Sequence, residues 1–524
     1  MMDKELRLKI GQMLMAGFPS PEVDTQAKRL IEDFYVGNFA LFARNIVTRR
    51  QIGELCSALS GLVCQKTGFA PMLAVDQEGG VVCRLSEGAA LLPGPMTIAA
   101  AKADAHEIGK NCADALLSVG INTNTSPVLD VNRDAMNPII GARSFGDTVQ
   151  AVQRYGLGLM NGMRERGLIA AVKHFPGHGN VKTDSHLGLP LNDADEMELR
   201  EIDFKPFRSA FAQGADALMT CHVCFKNYDS KYPATLSHRI MTDLLRDEMG
   251  FDGVAISDCM EMGAIRTTCG IGEGAVLAVE AGCDILCFSH TYEAVAEAAS
   301  SLYAAVDSGR ISPARIEQSY ARIVRLKEKY HLLDAWHPDD EASRTVLYDP
   351  VRLEQHQSVS QQSITLVRDE GGIERLKAAK RPAFFAPVSL ALTGNEDQPK
   401  QPTNFGRMAA ERFGGTGTVL PINALDDASR AALLSPDYDV AVLGLYNARF
   451  REGQQQVLQL LETQPRPLVV VLLGAPYDAA LVQRADAVIA AYEYTPMSVC
   501  AALDAIAENE FPGTLPVTVP PIQP

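Results

Sequence analysis

The sequence predicts an α/β protein: a (β/α)8 TIM-type barrel followed by a smaller α/β sandwich domain. In the first two thirds of the chain, short apolar runs alternate with amphipathic segments, and eight such runs can be counted, the number that closes an α/β barrel. These runs end in polar or charged residues, and the carboxyl ends of strands are where barrels and open sheets bind ligands. A length of 524 residues exceeds what one hydrophobic core supports, so a second domain is expected.

The candidate barrel strands are residues 13–18, 37–42, 72–76, 122–130, 168–174, 217–222, 253–258 and 284–289. Helical spacing fills the intervals, for example over 149–166, 198–213 and 236–249, and the eighth unit closes near Gly309. Ser312 then offers an N-cap and Pro313 a first-turn proline for one more helix, reaching Tyr330. The polar, weakly periodic stretch 334–354 reads as a linker. The expected division is a barrel with trailing helix over 1–333, a linker over 334–360 and an α/β sandwich domain over 361–524. In that last part, strands are expected at 363–367, 383–387, 440–445, 468–473 and 487–491, with helices such as 454–462 and 498–508. No glycine-rich phosphate fingerprint lies between a strand and a helix there, so no nucleotide is assigned.

Composition narrows the function. Apolar residues make up 47% and charged residues 21%, ordinary for a globular protein with an ample core. A net charge of −16 argues against nucleic-acid or anionic-membrane binding, which need a basic surface. Eleven cysteines, an odd number without a tight framework, suit a reduced, cytoplasmic protein. The charged N-terminus does not read as an export signal, and no apolar run approaches the roughly 20 residues of a membrane-spanning helix.

The chemistry concentrates at strand ends. Lys173-His174-Phe175-Pro176-Gly177-His178-Gly179 follows a buried apolar run, and Pro176, Gly177 and Gly179 stop any regular element there. Thr183-Asp184-Ser185-His186 comes shortly after. Asp76-Gln77-Glu78-Gly79-Gly80 closes the third strand with Arg84 beyond it; Asp130 and Arg143 follow the fourth, His222 ends the sixth and Ser257-Asp258 the seventh. A closed core would reject these groups, because an unpaired buried charge costs several kcal/mol. They are therefore expected to face one cavity.

These motifs, in this order, resemble the bacterial β-N-acetylglucosaminidases of glycoside hydrolase family 3. The resemblance covers the barrel, and Gly513-Thr514-Leu515-Pro516-Val517 looks like the end of that family's second domain. It implies that Asp258 is the nucleophile of a retaining mechanism, His186 the acid/base and Asp184 the partner of that histidine. Asp76, Arg84, Arg143, Lys173, His174 and, at the end of its own strand, His222 then form the sugar-binding set. The implied activity is exo-removal of a terminal β-linked N-acetylglucosamine with no metal or organic cofactor, on a small carbohydrate that could be a cell-wall muropeptide. The physical chemistry agrees: a retaining glycosidase needs a carboxylate below the anomeric carbon and a group that protonates the leaving oxygen and then deprotonates water. Imidazole titrates near neutrality, and Asp184 could fix its tautomer and favour the imidazolium. Glycines flank that loop, so it is expected to close on bound sugar.

Other readings of the same residues exist. Arg84 and Arg143 could be structural ion-pair partners, His178 orders its loop, and Glu261 is secondary to Asp258 because it follows the strand end by a few residues. His174, His178, Asp184 and His186, with Cys221-His222-Val223-Cys224, compose a metal ligand set, but no second cysteine pair at zinc-finger spacing supports it. A phosphorylase using the same site would meet less repulsion from His186 than from a glutamate, and sugar 1-phosphate would be its product. An inactive sugar-binding protein is the reading from another class, disfavoured by the intact Asp258 and His186. Oligomeric state, natural leaving group and any role for the second domain stay open at this level.

Overall fold

The computed structural model describes residues 3–182, 189–391, 396 and 401–521. Eight parallel strands close a barrel: β1 (Leu14–Ala16), β2 (Asn38–Leu41), β3 (Met72–Val75), β4 (Thr123–Asn124), β5 (Ile169–Phe175), β6 (Ala217–Thr220), β7 (Val254–Cys259) and β8 (Ile285–Phe288). Each pairs with its neighbours in chain order, and β8 returns to β1 through Leu14 opposite Leu286. Almost every strand residue is buried, as both faces of a helix-covered parallel sheet must be. Connecting helices follow from local signals. Thr148, for instance, accepts the Ala151 N–H at 3.2 Å and starts the helix Val149–Glu165. Ser312 does the same for Pro313–Lys329.

Three expectations need correction. The fourth strand is far shorter than 122–130, because Pro127 has no N–H to give the ladder; pairing resumes only as a single bridge between Val128 and Lys173. The stretch read as a linker is largely helical, with Asp340–Leu347 capped by Asp339 and Pro350–Ser363 capped by Asp349. Both helices are tied to the barrel, by Arg49 to Asp340 at 2.8 Å and Arg352 to Asp114 at 2.7 Å. Their high polarity reflects solvent on one side, and the Asp caps and Pro350 were the overlooked signal.

The second domain is a six-stranded sheet: β9 (Thr365–Asp369), β10 (Pro382–Ala386), β11 (Thr416–Val419), β12 (Val440–Leu445), β13 (Leu468–Leu472) and β14 (Ala487–Ala490), in the order β9-β14-β13-β12-β10-β11. Only β9 is antiparallel to its neighbour. The third correction is β11, an edge strand that the apolar pattern missed because most of it is exposed. Separate apolar clusters cover the two faces of this sheet. A further cluster, including Met96, Ala100, Tyr477 and Tyr492, seals the domain against the barrel. The segment after Gly513 lies back on the barrel, where the Thr514 N–H donates to the Ala100 carbonyl at 3.1 Å.

Candidate active site

All eight strand ends contribute to one cavity of about 670 Å³ at the carboxyl face of the barrel, from Met15 on β1 to Cys287 on β8. That is room for a small polar ligand rather than a polymer. Of the residues singled out in the sequence, Asp76, Arg84, Arg143, Lys173, His174 and Asp258 line it. Two register shifts help. One on β5 lies between Val172 and Phe175, and one on β7 between Ile256 and Cys259. Each breaks the strict alternation of side chains, so consecutive residues, Lys173 with His174 and Asp258 with Cys259, reach the same cavity.

The inner wall is a network of opposed charges. Asp76 accepts from Lys173 Nζ at 2.7 Å, from the Thr125 hydroxyl at 2.6 Å and from Arg84 Nη2 at 3.3 Å. Burial opposes ionisation of Asp76, but Lys173 and Arg84 outweigh it and hold the carboxyl well below the usual range. Glu78 takes a bidentate pair from Arg143, through Nε and Nη2 at 2.8 Å each, and a third contact from Lys173 Nζ at 2.5 Å. Burial again works against the charged form, yet Arg143 and Lys173 bring Glu78 down to about 2. Lys173 therefore bridges two carboxylates, and Arg143 is at once a structural partner and a cavity residue.

His174 is oriented from behind. Its Nδ1 donates to Asp130 Oδ2 at 2.6 Å, which leaves Nε2 as an acceptor for Arg143 Nη2 at 3.4 Å. Asp130 also accepts the His178 backbone N–H at 2.6 Å. The His178 ring packs edge-on to His174, and burial pushes it down to about 4. A Cβ on Gly179 would fall 1.7 Å from the Val131 carbonyl, so only glycine lets this loop lie against the β4 loop.

Asp258 ends β7 half-buried, its Oδ1 accepting the Cys259 N–H at 2.7 Å. His222 does not line the cavity, contrary to its expected place among the sugar-binding residues. It is fully buried between the Thr235 hydroxyl, 2.9 Å from Nδ1, and the Cys259 carbonyl, 3.0 Å from Nε2, where it supports the backbone next to Asp258. Glu261 accepts the backbone N–H groups of His290 and Thr291 at 2.7 and 3.1 Å, so its carboxylate organises the β8 loop. Asp184 and His186 lie outside the described residues. Among the described residues, no group of three or more His, Cys, Asp or Glu side chains is arranged to hold a metal ion.

Sequence reasoning counted Glu78 and Asp130 among the strand-end groups without giving them a role, and passed over Thr125. Asp130 and Glu78 were visible as strand-end acids; their roles depend on partners brought in by other strands. The assembled cavity presents fixed carboxylates and cations and, apart from them, the strand-end carboxylate of Asp258.

Comparison with known proteins bears on this arrangement. The family described as "Glycosyl hydrolase family 3 N terminal domain" matches residues 5–326. A β-hexosaminidase from Alkalilimnicola ehrlichii is 34% identical over 333 residues, 62% of this chain and 93% of that protein. β-Hexosaminidase A from Pseudoalteromonas piscicida is 32% identical over 365 residues, 61% of this chain but 60% of that longer protein. A glycoside hydrolase family 3 β-N-acetylglucosaminidase from Paenibacillus sp. superposes with a TM-score of 0.92 at 34% identity, over 99% of both chains.

Proposed function

This chain belongs to glycosyl hydrolase family 3, and on that premise we propose that it is a retaining, exo-acting β-N-acetylglucosaminidase. The observation that carries the reading is the meeting of Asp258 with Asp76, Arg84, Arg143, Lys173 and His174 around one cavity. Asp76, fixed as an anion by two cations, accepts hydrogen bonds from hydroxyls of the terminal sugar, while Arg84, Lys173 and His174 face the same ring. Asp258 attacks the anomeric carbon, forming the glycosyl–enzyme bond as the glycosidic C–O bond breaks. His186, assisted by Asp184, gives its proton to the leaving oxygen and then takes one from the water that releases the sugar with its β configuration restored. No metal or organic cofactor enters these steps.

The names of the relatives support the acetamido sugar as the group removed. The natural substrate in this reading is a muropeptide fragment handled in the cytoplasm during cell-wall turnover. All eleven cysteines are free in the structure, which suits a reducing compartment. Among the described residues, no helix is long and apolar enough to cross a membrane.

Hydrolysis of 4-nitrophenyl β-N-acetylglucosaminide, compared with other aryl β-glycosides, tests the reading. Asp258→Asn should lose at least about 10³ in kcat, and His186→Ala should slow substrates with poor leaving groups more than activated ones. Near-normal turnover by Asp258→Asn would sink the mechanism.

A further inference from the structure

A side chain of the second domain, Glu493, reaches the barrel at the loop that carries Arg84. Glu493 follows β14 and is only 3% exposed. Its Oε2 accepts the Gly94 N–H at 2.8 Å and the Thr97 hydroxyl at 3.2 Å, and its Oε1 accepts the Thr495 hydroxyl at 3.2 Å. Among the described residues no cation pairs with it, and burial raises its pKa to about 7. A carboxyl kept in that setting is costly, which argues for a local purpose.

Two features of the backbone sharpen the point. Tyr492, a bulky buried residue, adopts φ of +67° immediately before Glu493, with its hydroxyl bonded to Thr365 Oγ1 at 2.6 Å. Such left-handed conformations in large side chains persist where the surroundings demand them, and here the turn delivers Glu493 to the barrel. On the barrel side the carboxylate sits where Gly80 and Gly94 cross. A Cβ on either glycine would come within 2.6 Å of Glu493 Oε2, and Gly80 has φ of +60°. The Gly80 N–H donates to the Leu92 carbonyl at 2.9 Å, closing the base of the loop between them. Glu78 stands just before that base and Arg84 lies within the loop.

We propose that Glu493 is a positioning residue for the sugar-binding set: it holds the Gly80–Gly94 crossing so that Glu78 meets Arg143 and Lys173, and Arg84 meets Asp76. This rests on the reading that these groups grip the terminal sugar. It gives the second domain a part in binding although none of its described residues lines the cavity.

The test is steady-state hydrolysis of 4-nitrophenyl β-N-acetylglucosaminide by the full chain carrying Glu493→Ala, Glu493→Asp or Glu493→Gln, each assayed as a folded, monodisperse species. Gln keeps an acceptor for Gly94 and an amide for Thr495, so its KM should stay within about threefold of wild type. Ala removes the acceptor and Asp withdraws it by one carbon; each should raise KM about tenfold while kcat falls less than about threefold, the pattern of lost binding geometry. If Ala does not fold, Asp carries the same comparison. A merely structural role would lower melting temperature and leave KM of the folded enzyme unchanged; that result overturns the proposal, as does Gln behaving like Ala. A wild-type chain that does not hydrolyse the glycoside at all refutes the functional reading first and the proposal with it.

Discussion

Glu78→Gln should weaken the barrel and, on the proposed function, raise KM for the glycoside. The substitution keeps the shape of the side chain but removes the negative charge between Arg143 and Lys173. Those two cations contact Glu78 at 2.8 and 2.5 Å, with side chains only 6% and 2% exposed. They bring the Glu78 carboxyl from an ordinary 4.5 down to about 2 in spite of its burial. That interval corresponds to about 3 kcal/mol, at 1.36 kcal/mol per pKa unit. Breaking one side of a buried ion pair gives a similar figure, about 3–5 kcal/mol. A loss of about 3 kcal/mol should lower the melting temperature of a barrel this size by about 5 °C at pH 7. The sign of the pH dependence follows from the depressed pKa. The stabilisation is present above about 4.5 and lost as pH falls toward about 2, so the gap between wild type and variant should shrink by roughly two fifths at pH 3.5. Calorimetry at the two pH values measures the gap, and kinetics on the aryl glycoside should give a KM raised about tenfold. Adding Arg143→Met to Glu78→Gln should cost less than the sum of the two single changes, since each single change strands a charge. The reasoning is refuted by a variant that melts within about 1 °C of wild type at pH 7, or by a gap that does not respond to acid.

Two further outcomes follow from the same geometry. Asp76→Asn removes charge from a carboxylate gripped by Lys173 and Arg84; on the proposed function it weakens charge-assisted hydrogen bonds to sugar hydroxyls by about 3 kcal/mol in all, so KM should rise about 100-fold in steady-state assays. Glu493 has the opposite linkage to Glu78. With its pKa raised from 4.5 to about 7, its contribution is full below pH 4.5 and fades as pH rises through about 7. The titratable neighbour on the barrel side, Cys83, is pushed up to about 12 and stays neutral across that range. Relative to Glu493→Gln, the wild type should therefore lose about 2.5 kcal/mol of stability between pH 5 and 8, read as a difference in melting temperature.

The strands of the barrel and most of its cavity residues were legible because their signals are local. Apolar runs such as Ile169–Val172 mark a buried strand, and Pro176 and Gly177 mark its end, so Lys173 and His174 could be placed at the carboxyl rim from sequence spacing alone. The same reasoning reached Asp76, Arg84, Arg143 and Asp258. It failed for His222, which obeys the strand-end rule but is turned into the protein by Thr235 and the Cys259 carbonyl, partners 13 and 37 residues away. It also passed over the two helices between the domains, whose polar composition hid their caps.

What the sequence determined by itself was therefore the order of the elements and which residues stand at strand ends, since both depend on neighbours within a turn or a strand. Tertiary structure alone decided which charges face one another. Glu78 is neutralised by Arg143 and Lys173, 65 and 95 residues along the chain, and Glu493 meets Gly94 across 399 residues. The energies of such contacts arise only when barrel closure and domain docking exclude water from between the partners, and no local pattern encodes that exclusion.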